Sequence, residues 1–150
     1  MLAIVAAVIA ASTEKPDWIE RGSRALKEGG ARTVMGVGTI SGVRNAALAR
    51  RAAENRAGIE VARILENLVA SVVEPVGSAV LPPPSAESPA QPLPRSLYSQ
   101  CGPAAPVDHW VAPDGSSFVL VRLDFDACLQ KLGERQRKRL ARAFDQVAKE

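Results

Sequence analysis

The fold is decided by residues 33–40, which read TVMGVGTI. β-Branched residues are frequent in this stretch, and they favour the extended conformation of a strand. Since successive side chains of a strand point to opposite faces, Gly36 and Gly38 lie on the same face. Glycines on one face leave the backbone uncovered, so another element can approach it closely. The stretch therefore predicts a strand with one face open to close packing.

A long helix is predicted over residues 45–73, directly after this strand. Asn45 is a suitable N-cap, because its side chain can accept a hydrogen bond from a free N–H of the first turn. Gly58 lowers helix stability by about 1 kcal/mol, and close contact with the glycine face of the strand would explain its presence. The spacing of apolar residues predicts that the buried side of the helix consists of Leu48, Ala52, Ile59, Ala62, Leu65, Val69 and Val72.

The carboxy-terminal part of the chain predicts a hairpin followed by a helix. Residues 107–111 and 117–123 have the composition of strands, and the sequence PDG at 113–115 separates them. Proline presets φ and glycine accepts a positive φ, so this sequence is typical of a tight turn. From Phe125 onward the spacing is helical, with Gly133 as a break.

The order of these segments is strand, long helix, linker, hairpin and helix. It predicts an α+β domain in which a three-stranded antiparallel sheet packs on one long helix, with a further helix at the carboxy terminus. A proline-rich linker or insertion over 75–106 separates residues 13–74 from 107–150, because its prolines lack N–H donors and disfavour regular structure. Before the first strand, Pro16 to Gly30 is expected to hold only a helical turn or two.

Residues 2–11 form an apolar run, LAIVAAVIAA, which is too short to cross a bilayer. Ten residues span about 15 Å as a helix, against about 30 Å of hydrocarbon. The run, with Ala10 and Ala11 at its end, predicts a secretory signal over residues 1–12 and an exported protein of the periplasm or cell envelope. No Lys or Arg precedes the run, so a buried amino-terminal helix or strand is the alternative. No Cys follows it, and a lipid anchor is not predicted.

The chain has two cysteines, Cys101 and Cys128, whose number fits either a reducing or an oxidising compartment. If the protein is exported, the two are expected to pair. A disulfide between them would stabilise the domain by about 3–4 kcal/mol in the chain-entropy model. It would also tie the linker to the start of the last helix.

Several short motifs follow one another along residues 16–124. They are PDW at 16–18, GVG at 36–38, NAALARRAA at 45–53, VDHW at 107–110 and PDG at 113–115. In the order and spacing of these motifs, the chain resembles the Lpp-twenty lipoprotein family and is similar to the amino-terminal domain of flagellar assembly protein T. The resemblance implies a small dodecin-like β-α-β-β domain in the cell envelope, usually lipidated and without an established enzymatic activity. The chain departs from the family in its missing lipobox cysteine and in its proline-rich stretch.

No catalytic, cofactor-binding or metal-binding residue is predicted. Gly36, Gly38 and Gly42 give GxGxxxG and not the dinucleotide-binding GxGxxG, so packing of glycines against the helix explains them better. Asp108 and His109 are adjacent on a strand and point to opposite faces, so they cannot form a catalytic pair. The single histidine of the sequence argues against a transition-metal site.

The last helix carries basic residues on one side and apolar residues on the other. At about 100° per residue, the basic side holds Lys131, Arg135, Lys138, Arg142 and Lys149. Arg137 breaks this pattern by falling on the apolar side. A basic stripe can contact an anionic membrane or an acidic polymer, or it is the solvated side of a helix that packs on the domain. The lack of aromatic residues between the basic ones disfavours nucleic acid.

These features predict a non-enzymatic bacterial envelope protein that acts through protein or surface contacts. Its expected partner is another envelope protein or a second copy of the chain, and no cofactor is expected. The alternative is a binding module that uses the basic helix to contact an anionic membrane or nucleic acid. The charge balance of 19 basic and 16 acidic residues is too mild to imply nucleic acid by itself.

Overall fold

The computed structural model describes residues 14–72 and 97–148. Within these ranges, a four-stranded antiparallel sheet packs against one long helix, and a further helix lies near the carboxy terminus. The predicted α+β class and both helices are confirmed. In chain order the elements are α1 (Asp17–Arg21), β1 (Arg24–Glu28), β2 (Ala31–Ile40), α2 (Ala46–Val72), α3 (Leu97–Cys101), β3 (Ala105–Val111), β4 (Ser117–Asp124), α4 (Phe125–Gln130) and α5 (Glu134–Val147).

The prediction of three strands is wrong, because β1 adds a fourth strand at one edge. The sheet order is β1-β2-β4-β3, and each neighbouring pair is antiparallel. A two-residue turn joins β1 to β2, and its residues Gly29 and Gly30 have φ values of 56° and 86°. Two positive φ values match the twist of a hairpin. The segment that was expected to hold only a helical turn therefore also holds a strand.

The glycine face of β2 packs directly on α2, as the sequence predicts. A Cβ added at Gly38 would collide with the carbonyl oxygen of Ala53 and the backbone nitrogen of Ala57, and one added at Gly36 would lie 2.7 Å from Cγ2 of Val61. Strand and helix backbones therefore meet without side chains between them. This contact fixes the position of α2 over the centre of the sheet.

The buried side of α2 differs from the predicted one. Leu48 and Ile59 are 59% and 58% exposed, although their spacing assigned them to the core. The buried residues are Ala49, Ala53, Ala57, Val61, Leu65 and Leu68, and Leu65 is the one among them that the spacing had assigned to the buried side. Alanines face the glycines of β2, because only small side chains fit where two backbones approach so closely. Gly58 does not face β2 either, since a Cβ there would lie 2.9 Å from Oη of Tyr98 in α3.

The predicted hairpin is confirmed as β3 and β4. Its turn is held by Asp114, whose Oδ1 accepts a 2.8 Å hydrogen bond from the N–H of Ser116, and Gly115 has a φ of 87°. A register shift between Pro106 and Asp108 places a β-bulge in β3, which is an edge strand. Proline lacks an N–H, so the bulge and the proline together hinder pairing of this edge with another chain.

The carboxy-terminal helix is divided at Gly133, as predicted, into α4 and α5. Asp124 caps α4, because its Oδ1 accepts a 3.1 Å hydrogen bond from the N–H of Ala127. Phe125 of α4 and Phe144 of α5 are fully buried and stack with their ring centroids 4.7 Å apart. The stacked rings anchor both helices in the core.

Two predicted segments lie outside the described residues, namely the signal over 1–12 and the part of the linker over 75–96. The rest of the linker departs from the expected lack of regular structure, since residues 97–101 form α3 and β3 begins at Ala105. The prolines do not prevent regular structure here. The helix α3 contains no proline, and Pro106 lies on an edge strand, where a missing N–H donor is tolerated.

Candidate functional site

The basic side predicted for the last helix is exposed to solvent along α5. The exposed basic residues of this helix, which we call the α5 ridge, are Arg135, Lys138, Arg139 and Arg142. At 3.6 residues per turn, they occupy an arc of about 100° and a length of about 10 Å. Lys131 is exposed just before α5, at the C-cap of α4. Lys149, which was predicted to continue the stripe, lies outside the described residues.

The opposite side of α5 is buried in the domain. Leu140, Ala143 and Phe144 belong to the hydrophobic core, and Phe144 makes the ring stack with Phe125. Val147 in the last turn is 59% exposed, but most of the apolar side is buried, so α5 can contact an external surface mainly through its polar side. This arrangement differs from an amphipathic helix that inserts its apolar face into a membrane.

Asp145, an acidic residue of α5, is engaged by the sheet. Its carboxylate accepts hydrogen bonds from Nε and Nη2 of Arg32 at 2.9 and 3.0 Å, and Nζ of Lys27 lies 3.5 Å away. Arg32 also binds Asp126 of α4 through Nη1 at 3.1 Å. The hydrogen bonds from Arg32 lower the pKa of Asp145 below its ordinary value, and those to Asp145 raise the pKa of Arg32. The negative charge of Asp145 is thus balanced by β1 and β2 and not by the ridge.

Glu134 is the acidic residue that lies next to the α5 ridge. It forms an ion pair with Lys138, one turn further along the helix, with Nζ and Oε1 3.1 Å apart. Both side chains are largely exposed, and such a pair contributes little to stability. Its main consequence is that the positive charge of Lys138 is balanced by a neighbouring carboxylate. Arg135, Arg139 and Arg142 take part in none of the ion pairs found among residues 14–72 and 97–148.

Arg137, which breaks the basic stripe in the sequence, has a structural role. Its Nε donates to the carbonyl oxygen of Leu129 at 3.1 Å, and its Nη2 donates to that of Leu132 at 3.2 Å. Carbonyl groups at the end of a helix have no partner within the helix. Arg137 supplies partners at the end of α4 and so closes the junction between α4 and α5.

The two cysteines form a disulfide that links α3 to α4. The Cα atoms of Cys101 and Cys128 are 4.8 Å apart, a separation that is ordinary for disulfides. Cys128 is buried in the core and Cys101 is half-buried. The bond therefore ties α3 covalently to the layer of helices that includes α5.

His109 and Ser117 are the pair that comes nearest to a catalytic arrangement. Nε2 of His109 lies 2.9 Å from Oγ of Ser117, and burial, followed by the positive charge of Arg50, lowers the pKa of His109. A neutral imidazole can accept a proton, but Ser117 is only 2% exposed, so its hydroxyl is not open to a substrate. Asp108 lies on the other face, as predicted, and its Oδ2 accepts a 2.8 Å hydrogen bond from the indole of Trp18.

Sequence reasoning did not identify Ser117 as a partner of His109. The pairing crosses the hairpin diagonally, because His109 lies directly opposite Val119. The register at His109 is set by the turn over residues 112–116, because pairing with β4 is regular from Val111 back to Asp108 and the bulge lies beyond Asp108. The side chains of His109 and Ser117 meet on the face of the sheet that packs on α2, and their contact links the two strands of the hairpin.

An open groove of about 350 Å³ lies between α2 and α3. Its lining is mostly apolar and includes Ile59, Ala62, Tyr98 and Pro103, with Glu54 as an ionisable residue. In the part of the chain that the structure describes, no group of three or more His, Cys, Asp or Glu residues is placed to hold a metal ion. Among the described helices, none combines the length and the apolar character needed to cross a membrane.

Comparisons of the chain with protein-family models, with curated proteins and with solved structures find no match.

Proposed function

We propose that this chain is an exported, non-enzymatic protein of the bacterial cell envelope with a dodecin-like core, as its resemblance to Lpp-twenty lipoproteins implies. The core would consist of β2, α2, β3 and β4, with β1 as an additional edge strand. Support comes from the order of its motifs, since the glycine-bearing strand, the alanine- and arginine-rich helix and the closing hairpin follow one another as in that family.

The observation that carries the proposal is the disulfide between Cys101 and Cys128. Disulfides persist in oxidising compartments such as the periplasm and are rare in the cytosol. The apolar run over residues 2–11, with small residues at its end, is typical of a secretory signal. The two features are independent of each other, and both favour export.

The face of the sheet opposite α2 is the surface that we propose for contact with an envelope protein or a second copy. It carries Met35 and Val37 of β2, together with Trp110 and Phe118, whose ring centroids are 5.5 Å apart. All four side chains keep part of their surface exposed. Aromatic residues and methionine are enriched at protein interfaces, which supports a contact role for this face.

The proposal is tested by cell fractionation combined with mass determination of the mature chain and thiol alkylation. We expect a chain that begins near Ala11 to Thr13 in the periplasmic or envelope fraction, with both cysteines alkylated only after reduction. A variant with Cys101→Ser and Cys128→Ser is the matched control, because it defines the background of the alkylation. An intact Met1 in the cytosolic fraction, with two free thiols, would overturn the proposal.

A second candidate function, contact with an anionic surface, is favoured by the exposure of the α5 ridge. Nucleic acid is the less favoured form of that surface. Phe144, the aromatic residue of α5, is fully buried and stacked on Phe125, so it cannot stack on a base.

A further inference from the structure

We infer that the α5 ridge binds the anionic headgroups of a phospholipid bilayer. The inference deepens the proposed function and rests on it for the compartment in which the protein meets a membrane. Binding itself would be a property of the folded domain and can be measured on the purified protein.

The geometry of α5 permits a peripheral contact and excludes deep insertion. Leu140 and Phe144 are held in the core and only Val147 in the last turn is exposed, so the helix has too little free apolar surface to bury among acyl chains. The ridge lies on the other side of the helix within an arc of about 100°, which allows its four basic side chains to meet one flat surface together. Long basic side chains can extend from the helix toward phosphate groups.

Charge complementarity is the reason to expect an anionic partner. The carboxylate of Asp145 is bound by Arg32, and that of Glu134 is paired with Lys138. The guanidinium groups of Arg135, Arg139 and Arg142 remain available to a ligand. Guanidinium binds phosphate oxygens through two parallel hydrogen bonds, so phosphate headgroups match the groups that the ridge presents.

The strength of the contact follows from the number of free charges. Each basic residue near an anionic bilayer increases the partition coefficient by about fivefold. Three guanidinium groups acting together therefore increase it by about a hundredfold. The contact should weaken steeply with salt, since the Debye length falls from about 10 Å at 0.1 M to about 3 Å at 1 M.

The test is co-sedimentation of the purified full chain with vesicles. Vesicles of phosphatidylcholine with phosphatidylglycerol provide the anionic surface, and vesicles of phosphatidylcholine alone provide the neutral one. The test variant carries Arg135→Gln, Arg139→Gln and Arg142→Gln. The matched control carries Arg44→Gln, Arg50→Gln and Arg51→Gln, at exposed arginines that lie just before α2 and in its first turns. Both variants lower the formal net charge of +3 by the same amount.

We expect the wild type and the control variant to pellet with anionic vesicles at low salt and to be released at high salt. The ridge variant should lose about a hundredfold in partition coefficient while keeping its circular dichroism spectrum. If the wild type fails to pellet with anionic vesicles, or if both variants lose binding equally, the inference is wrong. Tighter binding to double-stranded DNA than to vesicles at equal salt also overturns it. Cell fractionation tests the proposed function separately, so the proposed function and the membrane-binding inference can fail independently of each other.

Discussion

Replacing Gly38 by alanine tests the close contact between β2 and α2. The added methyl group would collide with the carbonyl oxygen of Ala53 and the backbone nitrogen of Ala57. These are backbone atoms of a helix, so they cannot turn away as the end of a flexible side chain would. The strand is equally fixed, because Gly38 is paired with Val119 in the centre of the sheet.

The size of the effect follows from the movement that relieves the collision. Heavy atoms need a separation of about 3.5 Å, so α2 would have to move away from the sheet by about 1 Å or more. The movement would loosen the packing of Ala53, Ala57 and Val61, which are completely buried. Overpacking typically costs about 1–3 kcal/mol, and a collision with backbone puts Gly38→Ala at the upper end, about 3 kcal/mol or more. The melting temperature should fall by about 12 °C or more.

Urea and thermal unfolding followed by circular dichroism measure this loss. Gly133→Ala is the matched control, since Gly133 has an ordinary φ of −62° and a Cβ there meets nothing within 4 Å. As a change at an N-cap without a side-chain bond, it should cost less than about 1 kcal/mol. If Gly38→Ala is as stable as Gly133→Ala, the two backbones are not in contact and the reasoning is refuted.

Three further predictions concern charge and the disulfide. Arg32→Gln should lower the free energy of unfolding by about 1 kcal/mol at pH 7. Because the folded pKa of Asp145 lies below its ordinary value of 3.8, this contribution is present above that value and is lost as pH falls through the folded pKa. Urea titrations of the variant and the wild type should therefore converge as the pH falls through the folded pKa of Asp145. Reduction of the bond between Cys101 and Cys128 should lower the free energy of unfolding by about 3.5 kcal/mol, measured as urea midpoints with and without a phosphine reductant. His109 should titrate below 6.5 by NMR, since burial lowers its pKa, and the stability that it contributes should decline as pH falls through its folded pKa.

The sequence was sufficient for most of the sheet but not for β1. The residues RALKE of this strand are mainly charged, and only Leu26 is buried. Its extended conformation depends on pairing with β2, which composition does not reveal. A signal was nevertheless present, because Gly29-Gly30 between two short runs is a typical hairpin turn.

The buried side of α2 shows how large side chains can mislead. Leu48 and Ile59 fit the helical period, yet they are exposed, whereas Ala53 and Ala57 are completely buried. The choice between the two sides depends on the partner surface and not on hydrophobicity. Because β2 presents glycines, it packs against the side of α2 that carries alanines. Both the glycines and the alanines are visible in the sequence, so this packing could have been predicted from them.

For the candidate site, the exposure of the basic residues of α5 was predictable from helical periodicity. The roles of Asp145 and Arg137 were not, because their partners Arg32 and Leu129 lie in other elements. A helical period identifies which residues share a side. It does not show which charge is balanced from within the fold and which is left for a ligand.

The pairing of the two central strands has a consequence for the timing of folding. Gly38 of β2 and Val119 of β4 are partners although they are about 80 residues apart in the chain, and contacts at such separations slow folding. During synthesis, one edge of β2 has no neighbour until β4 has been made. Most of the chain must therefore leave the ribosome before the sheet can close. Until then the sheet is incomplete, and an incompletely folded chain is the form that a protein-conducting channel can transport.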